Sequence, residues 1–77
     1  MSGVKNTKSE KTVGALVAGL KVLRYMSKAE EPVGVSRVAR DLSISPSTCF
    51  SLLRTLVSEE LLNFNEERKT YTLSTGL

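Results

Sequence analysis

The sequence predicts a mostly α-helical domain, three helices closed by a small two-stranded β-hairpin. Three observations carry that prediction. Apolar residues recur at helical spacing over 13–26 and 49–56, with a shorter amphipathic piece between them. Past Leu61 the period drops to two, the mark of strands that lay one face on a core. The chain has 77 residues, 40% apolar and 25% charged, which fits one ordinary globular domain. A domain this small buries only about 60% of the surface its unfolded chain exposes, so its core is marginal and a partner stabilises it.

Residues 1–11 (MSGVKNTKSEK) are polar and aperiodic, and read as a flexible basic arm ahead of a domain over 12–77. From Thr12, an N-cap candidate, Val13, Leu16, Val17, Leu20 and Leu23 follow the i, i+3, i+4, i+7 template of a helix. Ala15, Ala18, Val22, Tyr25 and Met26 add a second apolar flank. So wide a stripe exceeds what one face against a small core needs. One flank is therefore expected to pack on a second subunit; central burial in its own domain is the plainer alternative. Gly14 and Gly19 each cost roughly 1 kcal/mol of helix propensity, which points to close packing at both.

Glu30-Glu31-Pro32 ends this helix or its connection, since proline disfavours helical geometry at the residue before it. Val33-Gly34-Val35 reads as extended, and Ser36 as the cap of a short second helix through Val38, Ala39 and Leu42. Ser43-Ile44-Ser45 is the next break. Ser45-Pro46 then has the Ncap–N1 form that opens a third helix, at about 46–58, with Cys49, Leu52, Leu53 and Leu56 as its buried stripe. In the hairpin, Leu62 and Phe64 face the core opposite Asn63 and Asn65. After a Glu66-Glu67-Arg68 turn, Tyr71 and Leu73 alternate with Thr70 and Thr72.

Composition excludes several functions. There is no histidine, and Cys49 is the only cysteine, so neither a disulfide framework nor a Cys/His zinc site is available. A general-base histidine is equally unavailable. No enzyme, metal or cofactor is expected; Asp41, Glu30 and Glu31 lack neighbouring ligands and read as surface charge. Cys49, inside the buried stripe, reads as a small core residue, not a redox switch. The longest apolar stretch, Val13–Leu20, runs for eight residues, whereas a membrane span needs roughly 20. No small-residue cleavage site follows it, so it reads as a folded helix rather than a signal peptide. Net charge is +3, distributed as +5 over 1–29, zero over 30–58 and −2 over 59–77. A basic front end suits nucleic acid or an acidic partner.

Two short helices around a tight turn, the second polar on its outer face, form the helix-turn-helix plan. Residues 35–54, VSRVARDLSISPSTCFSLLR, resemble it: Ala39 is small where the helices touch, and Ile44, Cys49 and Leu52 take core positions. Ser43 stands at the turn position that glycine usually holds, at a cost of about 1 kcal/mol if the turn needs positive φ. The hairpin would be the wing of a winged helix-turn-helix. Beyond this, Val13–Leu77 resembles the N-terminal DNA-binding domain of the IclR family of bacterial transcription regulators. The resemblance rests on LKVLRYM (20–26), EPVGVSRVARDL (31–42), SPSTCFSLLRTLVSEELL (45–62) and YTLSTGL (71–77), in that order and spacing. Glu60 departs from the glycine common there, which predicts a strained helix end. Phe50-Ser51 replaces a frequent His-Arg pair, so base contacts do not transfer at those two positions. The family's larger ligand-binding domain is absent, and the chain is expected to be a fragment or excised domain, a natural short form being the alternative. A small-molecule effector would act only through that missing part.

The resemblance implies double-stranded DNA as partner, a homodimer through the first helix, and a cytoplasmic, nucleoid-associated setting in a bacterium. On a 100° wheel Ser47, Ser51 and Arg54 oppose the buried stripe, with Thr48 and Phe50 on its flanks. In this docking mode the start of the third helix enters the major groove, where Ser47, Thr48 and Ser51 meet base edges or phosphates. Ser45 and the free N–H groups near Pro46–Thr48 suit a phosphate. Phe50 meets a thymine methyl or, by the plainer account, packs on its own domain. Arg37 and Arg40 are expected at phosphates, the alternative being solvated surface. Arg54 reaches a guanine or a phosphate, and its distance from the helix start favours phosphate. Arg68 and Lys69 mark the wing tip, where Glu66 and Glu67 oppose phosphate. Lys5, Lys8 and Lys11 read as weak, non-specific contacts. A winged-helix protein-interaction module is the competing class, because the fold serves both ends.

Overall fold

The structure, a computed structural model, describes residues 13–74. Three helices, α1 (Gly14–Lys28), α2 (Val35–Leu42) and α3 (Pro46–Ser58), precede strands β1 (Leu62–Asn65) and β2 (Thr70–Leu73). The expected three-helix winged helix-turn-helix is what the chain forms. The expected arm at 1–11, the Thr12 cap and Lys5, Lys8 and Lys11 lie outside the described residues.

Helix α3 is the central element and packs on α1, α2 and β1. The core is Val22, Met26, Val33, Val38, Ala39, Cys49, Leu53, Leu62 and Tyr71, so every element contributes to it. Cys49 is buried there as expected, its Sγ 3.8 Å from the Val35 carbonyl, and burial raises its pKa. The strands pair antiparallel with Leu62 opposite Leu73 and Phe64 opposite Tyr71. Val33 adds a bridge on the other edge of β2: its N–H donates to the Tyr71 carbonyl and the Tyr71 N–H donates back at 2.8 Å. The wing is thereby stitched to the segment that leads into α2.

Two helix starts differ from the expected ones. The N-cap of α2 is Gly34, not Ser36, which lies inside the first turn. A side chain at Gly34 would put its Cβ 3.3 Å from the Lys69 carbonyl oxygen, so the close approach of the wing favours glycine there. Helix α1 is capped by Val13 without a side-chain bond. Of the two apolar flanks of α1, the second supplies the buried face. Val22 and Met26, from the second flank, are buried, while Val13, Leu16, Val17 and Leu20 stay exposed. Nor is either helix glycine crowded: a Cβ at Gly14 meets nothing within 4 Å, and one at Gly19 touches only Leu52 at 3.9 Å.

Helices α2 and α3 end alike. Ile44 N–H donates to the Ala39 carbonyl and Ser43 N–H to Arg40; likewise Leu61 donates to Leu56 and Glu60 to Val57. This is the Schellman arrangement, which needs a left-handed residue at its hinge. Ser43 and Glu60 take that place at φ 57° and 67°, and Lys69 does so at the wing turn at φ 58°. The strain expected at Ser43 and Glu60 is therefore present, and Lys69 adds a third instance.

Candidate nucleic-acid interface

Along α3 the residues of the outer face, Ser47, Thr48, Phe50, Ser51 and Arg54, are all exposed. Pro46 opens the helix and Ser45 caps it, its hydroxyl accepting from the Thr48 N–H at 3.2 Å. That capping narrows the expected anion site. Proline has no N–H and Thr48 has given its own to Ser45, so Ser47 keeps the free amide of this turn. Further along, the Thr55 and Ser58 hydroxyls turn back to the carbonyls of Ser51 and Thr55. The hydroxyls left open to a ligand are those of Ser47, Thr48 and Ser51, one turn apart at the helix start.

The arginines fall into two groups. On α2, Arg37 donates to Glu31 at 3.2 Å and lies 3.9 Å from Asp41, while Arg40 lies 3.5 Å from the same Asp41. Tyr25, on α1, donates to Asp41 at 2.6 Å. That hydrogen bond, with the two arginine charges in support, holds the Asp41 carboxyl below the usual carboxylate value. Arg37 is therefore part of a surface network joining α1, α2 and the segment before α2. Arg40 projects more freely, with 75% of its side chain exposed. Because Asp41 titrates low in the folded chain, its bond to Tyr25 is complete above the ordinary carboxylate range near 4. The contribution disappears as pH falls through the lowered pKa. Tyr25→Phe is expected to move the Asp41 titration up toward its ordinary value, as read from the carboxyl carbon shift in NMR.

On α3, Arg54 lies over the Phe50 ring, its guanidinium carbon 5.5 Å from the centroid. Phe50 is 45% exposed, so the expected packing against its own domain is limited to this neighbour and the wing-side cleft. Phe50, Arg54 and Val57 form one wall of that cleft; Phe64, Glu66 and Tyr71 of the wing form the other. Phe64 is where the hairpin departs from expectation. It alternates with Asn63 on the side of buried Leu62, yet is 41% exposed, and its ring packs on Tyr71 with the centroids 4.8 Å apart. Arg68 and Lys69 belong to the wing turn, where Asn65 accepts from both backbone amides, through Oδ1 and carbonyl respectively. Both side chains are exposed.

A second surface is apolar. Leu16, Leu20 and Leu23 of α1, with Leu52 and Leu56 of α3 and Leu61, line a groove open to solvent. Among the described residues no group of three or more His, Cys, Asp or Glu could hold a metal ion. No helix among them is long and apolar enough to cross a membrane.

Comparison with known proteins bears on the same surface. Residues 15–66 match the IclR helix-turn-helix domain, so the match takes in α1, α2, α3 and β1. Among solved structures, an IclR family transcriptional regulator from Brucella abortus superposes with a TM-score of 0.81 at 29% identity, covering 99% of this chain. An IclR transcriptional regulator from Alicyclobacillus acidocaldarius shares the fold with a TM-score of 0.79 at 23% identity over 84% of the chain. The chain spans 29% and 26% of those two proteins. No curated protein matches it.

Proposed function

The chain belongs to the IclR helix-turn-helix domain family, and from that premise we propose that it is the sequence-reading part of a transcription regulator. Helix α3 enters the major groove of double-stranded DNA, and two copies pair through α1 to read neighbouring grooves. One observation carries the reading: α3 presents an exposed face of three open hydroxyls and a free arginine, away from all buried residues. Serine and threonine bond base edges and phosphates alike, and the helix start brings them within reach. The solvated groove of leucines along α1 supports the pairing, since a lone domain has little reason to leave Leu16 61% exposed.

Of the arginines on α2, Arg40 is assigned to phosphate and Arg37 chiefly to the network around Asp41. Log affinity falls against log salt by about 0.9 per phosphate neutralised. Arg40→Ala is expected to weaken all duplexes about equally and to flatten that slope by about one contact. Arg37→Ala, whose charge Glu31 and Asp41 already answer, is expected to change the slope by less. Filter binding over a salt series checks both.

The first test of the function is selection from a random duplex pool at about 150 mM salt, where non-specific binding is weak. A two-fold symmetric motif is the expected result. If no motif emerges, the selection is repeated with the chain fused to a dimeriser. Failure there too favours the protein-interaction reading to which the acidic wing residues Glu66 and Glu67 point.

A further inference from the structure

We propose that Arg54 reads a guanine in the major groove and that Phe50 is the positioning residue that makes this possible. The inference rests on the reading that α3 occupies that groove, and it changes the expected role of Arg54 from phosphate contact to base reader.

Backbone position alone argues for phosphate. Arg54 follows Pro46 by eight residues. At a rise of 1.5 Å per residue its Cα is about 12 Å down the helix, past the turns that usually meet bases. The side chain reverses this. Helical side chains lean toward the N-terminus, and residues four apart face each other. Here the guanidinium lies over the Phe50 ring, 5.5 Å from its centroid. The charge is thus carried back by about one turn, to the level of Ser51 and its open hydroxyl.

The same contact selects the ligand. A guanidinium held over an aromatic ring uses none of its N–H donors on a carboxylate or carbonyl. Two parallel N–H donors match O6 and N7 of guanine, the commonest specific arginine contact. No carboxylate among the described residues lies within ion-pair distance of Arg54, in contrast to Arg37 and Arg40. On the wing side, Glu66 lines the same cleft. A phosphate approaching Arg54 from there would meet that carboxylate, whereas a guanine edge carries no net charge.

The experiment compares the 77-residue chain with Arg54→Lys, Phe50→Leu and Phe50→Tyr in the duplex selection. Each is then measured on the selected duplex and on one carrying 7-deazaguanine, which lacks the N7 acceptor. The unaltered chain is expected to select a guanine in each half-site and to lose roughly tenfold in affinity on the deaza duplex. Arg54→Lys keeps the charge but loses the planar fork, and should weaken the guanine preference at that position alone. Phe50→Leu should weaken the preference and Phe50→Tyr, which keeps a ring, should retain it. Both positions are exposed, so circular dichroism should show all variants equally folded. If Arg54→Lys selects the guanine as strongly as the unaltered chain, or Phe50→Leu discriminates as well as Phe50→Tyr, the proposal is overturned while the DNA-binding reading stands. If the unaltered chain selects no motif, with or without a dimeriser, that reading falls and this one with it.

Discussion

Replacing Leu16 and Leu20 together by glutamine is expected to leave the chain monomeric where the proposed α1 pairing makes it a dimer, and to lower affinity for a two-fold symmetric duplex roughly 100-fold or more. Tying two half-site readers together makes the second contact intramolecular, and avidity gains of that order are lost when the tie is cut. Both leucines line the open groove with Leu52, and they are 61% and 41% exposed. They therefore contribute little to the core of a single domain. Glutamine keeps helix propensity near that of leucine and adds no charge, so neither helix loss nor electrostatic repulsion from DNA confounds the result. Sedimentation should show the dissociation, filter binding the affinity loss, and a melt of dilute protein a Tm within a few degrees of the unaltered chain. A symmetric-site affinity unchanged by the pair would remove α1 as the dimer contact.

Placing glycine at Ser43, Glu60 and Lys69 together is expected to stabilise the domain by about 2 kcal/mol. All three hold φ between 57° and 67°, where a side chain crowds the following carbonyl at a cost of roughly 1–2 kcal/mol each. Glycine removes that strain but orders a freer chain on folding, so each exchange is assigned a net gain of about 0.5–1 kcal/mol. The three residues close different elements and share no backbone hydrogen-bond partner, which favours additivity. For a domain of this size the sum corresponds to a rise in Tm of about 10 °C. Ser36→Gly, on the exposed side of α2, is the control and should destabilise by about 0.5 kcal/mol. Melts at one fixed protein concentration, without DNA, separate these outcomes from dimerisation and from loss of the Lys69 charge.

Two of the three hinges behind this prediction are legible in the sequence. Ser43 and Glu60 stand where glycine is common in the pattern the sequence resembles, which marks both as candidate places of backbone strain. Lys69 is not marked, because the length of a hairpin turn does not by itself say which residue takes the left-handed place. Of the candidate interface, the outer face of α3 was equally legible, since a 3.6-residue period assigns Ser47, Ser51 and Arg54 to the side opposite Cys49 and Leu53. The Tyr25–Asp41 hydrogen bond joins residues 16 apart on two helices, and no local pattern announces it.

Periodicity also fell short at α1. It revealed two apolar flanks without saying which one is buried, since a repeat gives a helix its faces but not the neighbour each face meets. Phe64 shows the same limit in a strand: alternation puts it on the side of buried Leu62, yet it stays 41% exposed. Local chemistry thus specifies the helices, their ends, the wing and the residues available on each face. Which face is covered, which arginine is already paired and which is held free over a ring depend on contacts between elements distant along the chain. Those contacts are set by how the elements pack, and packing has no period to read.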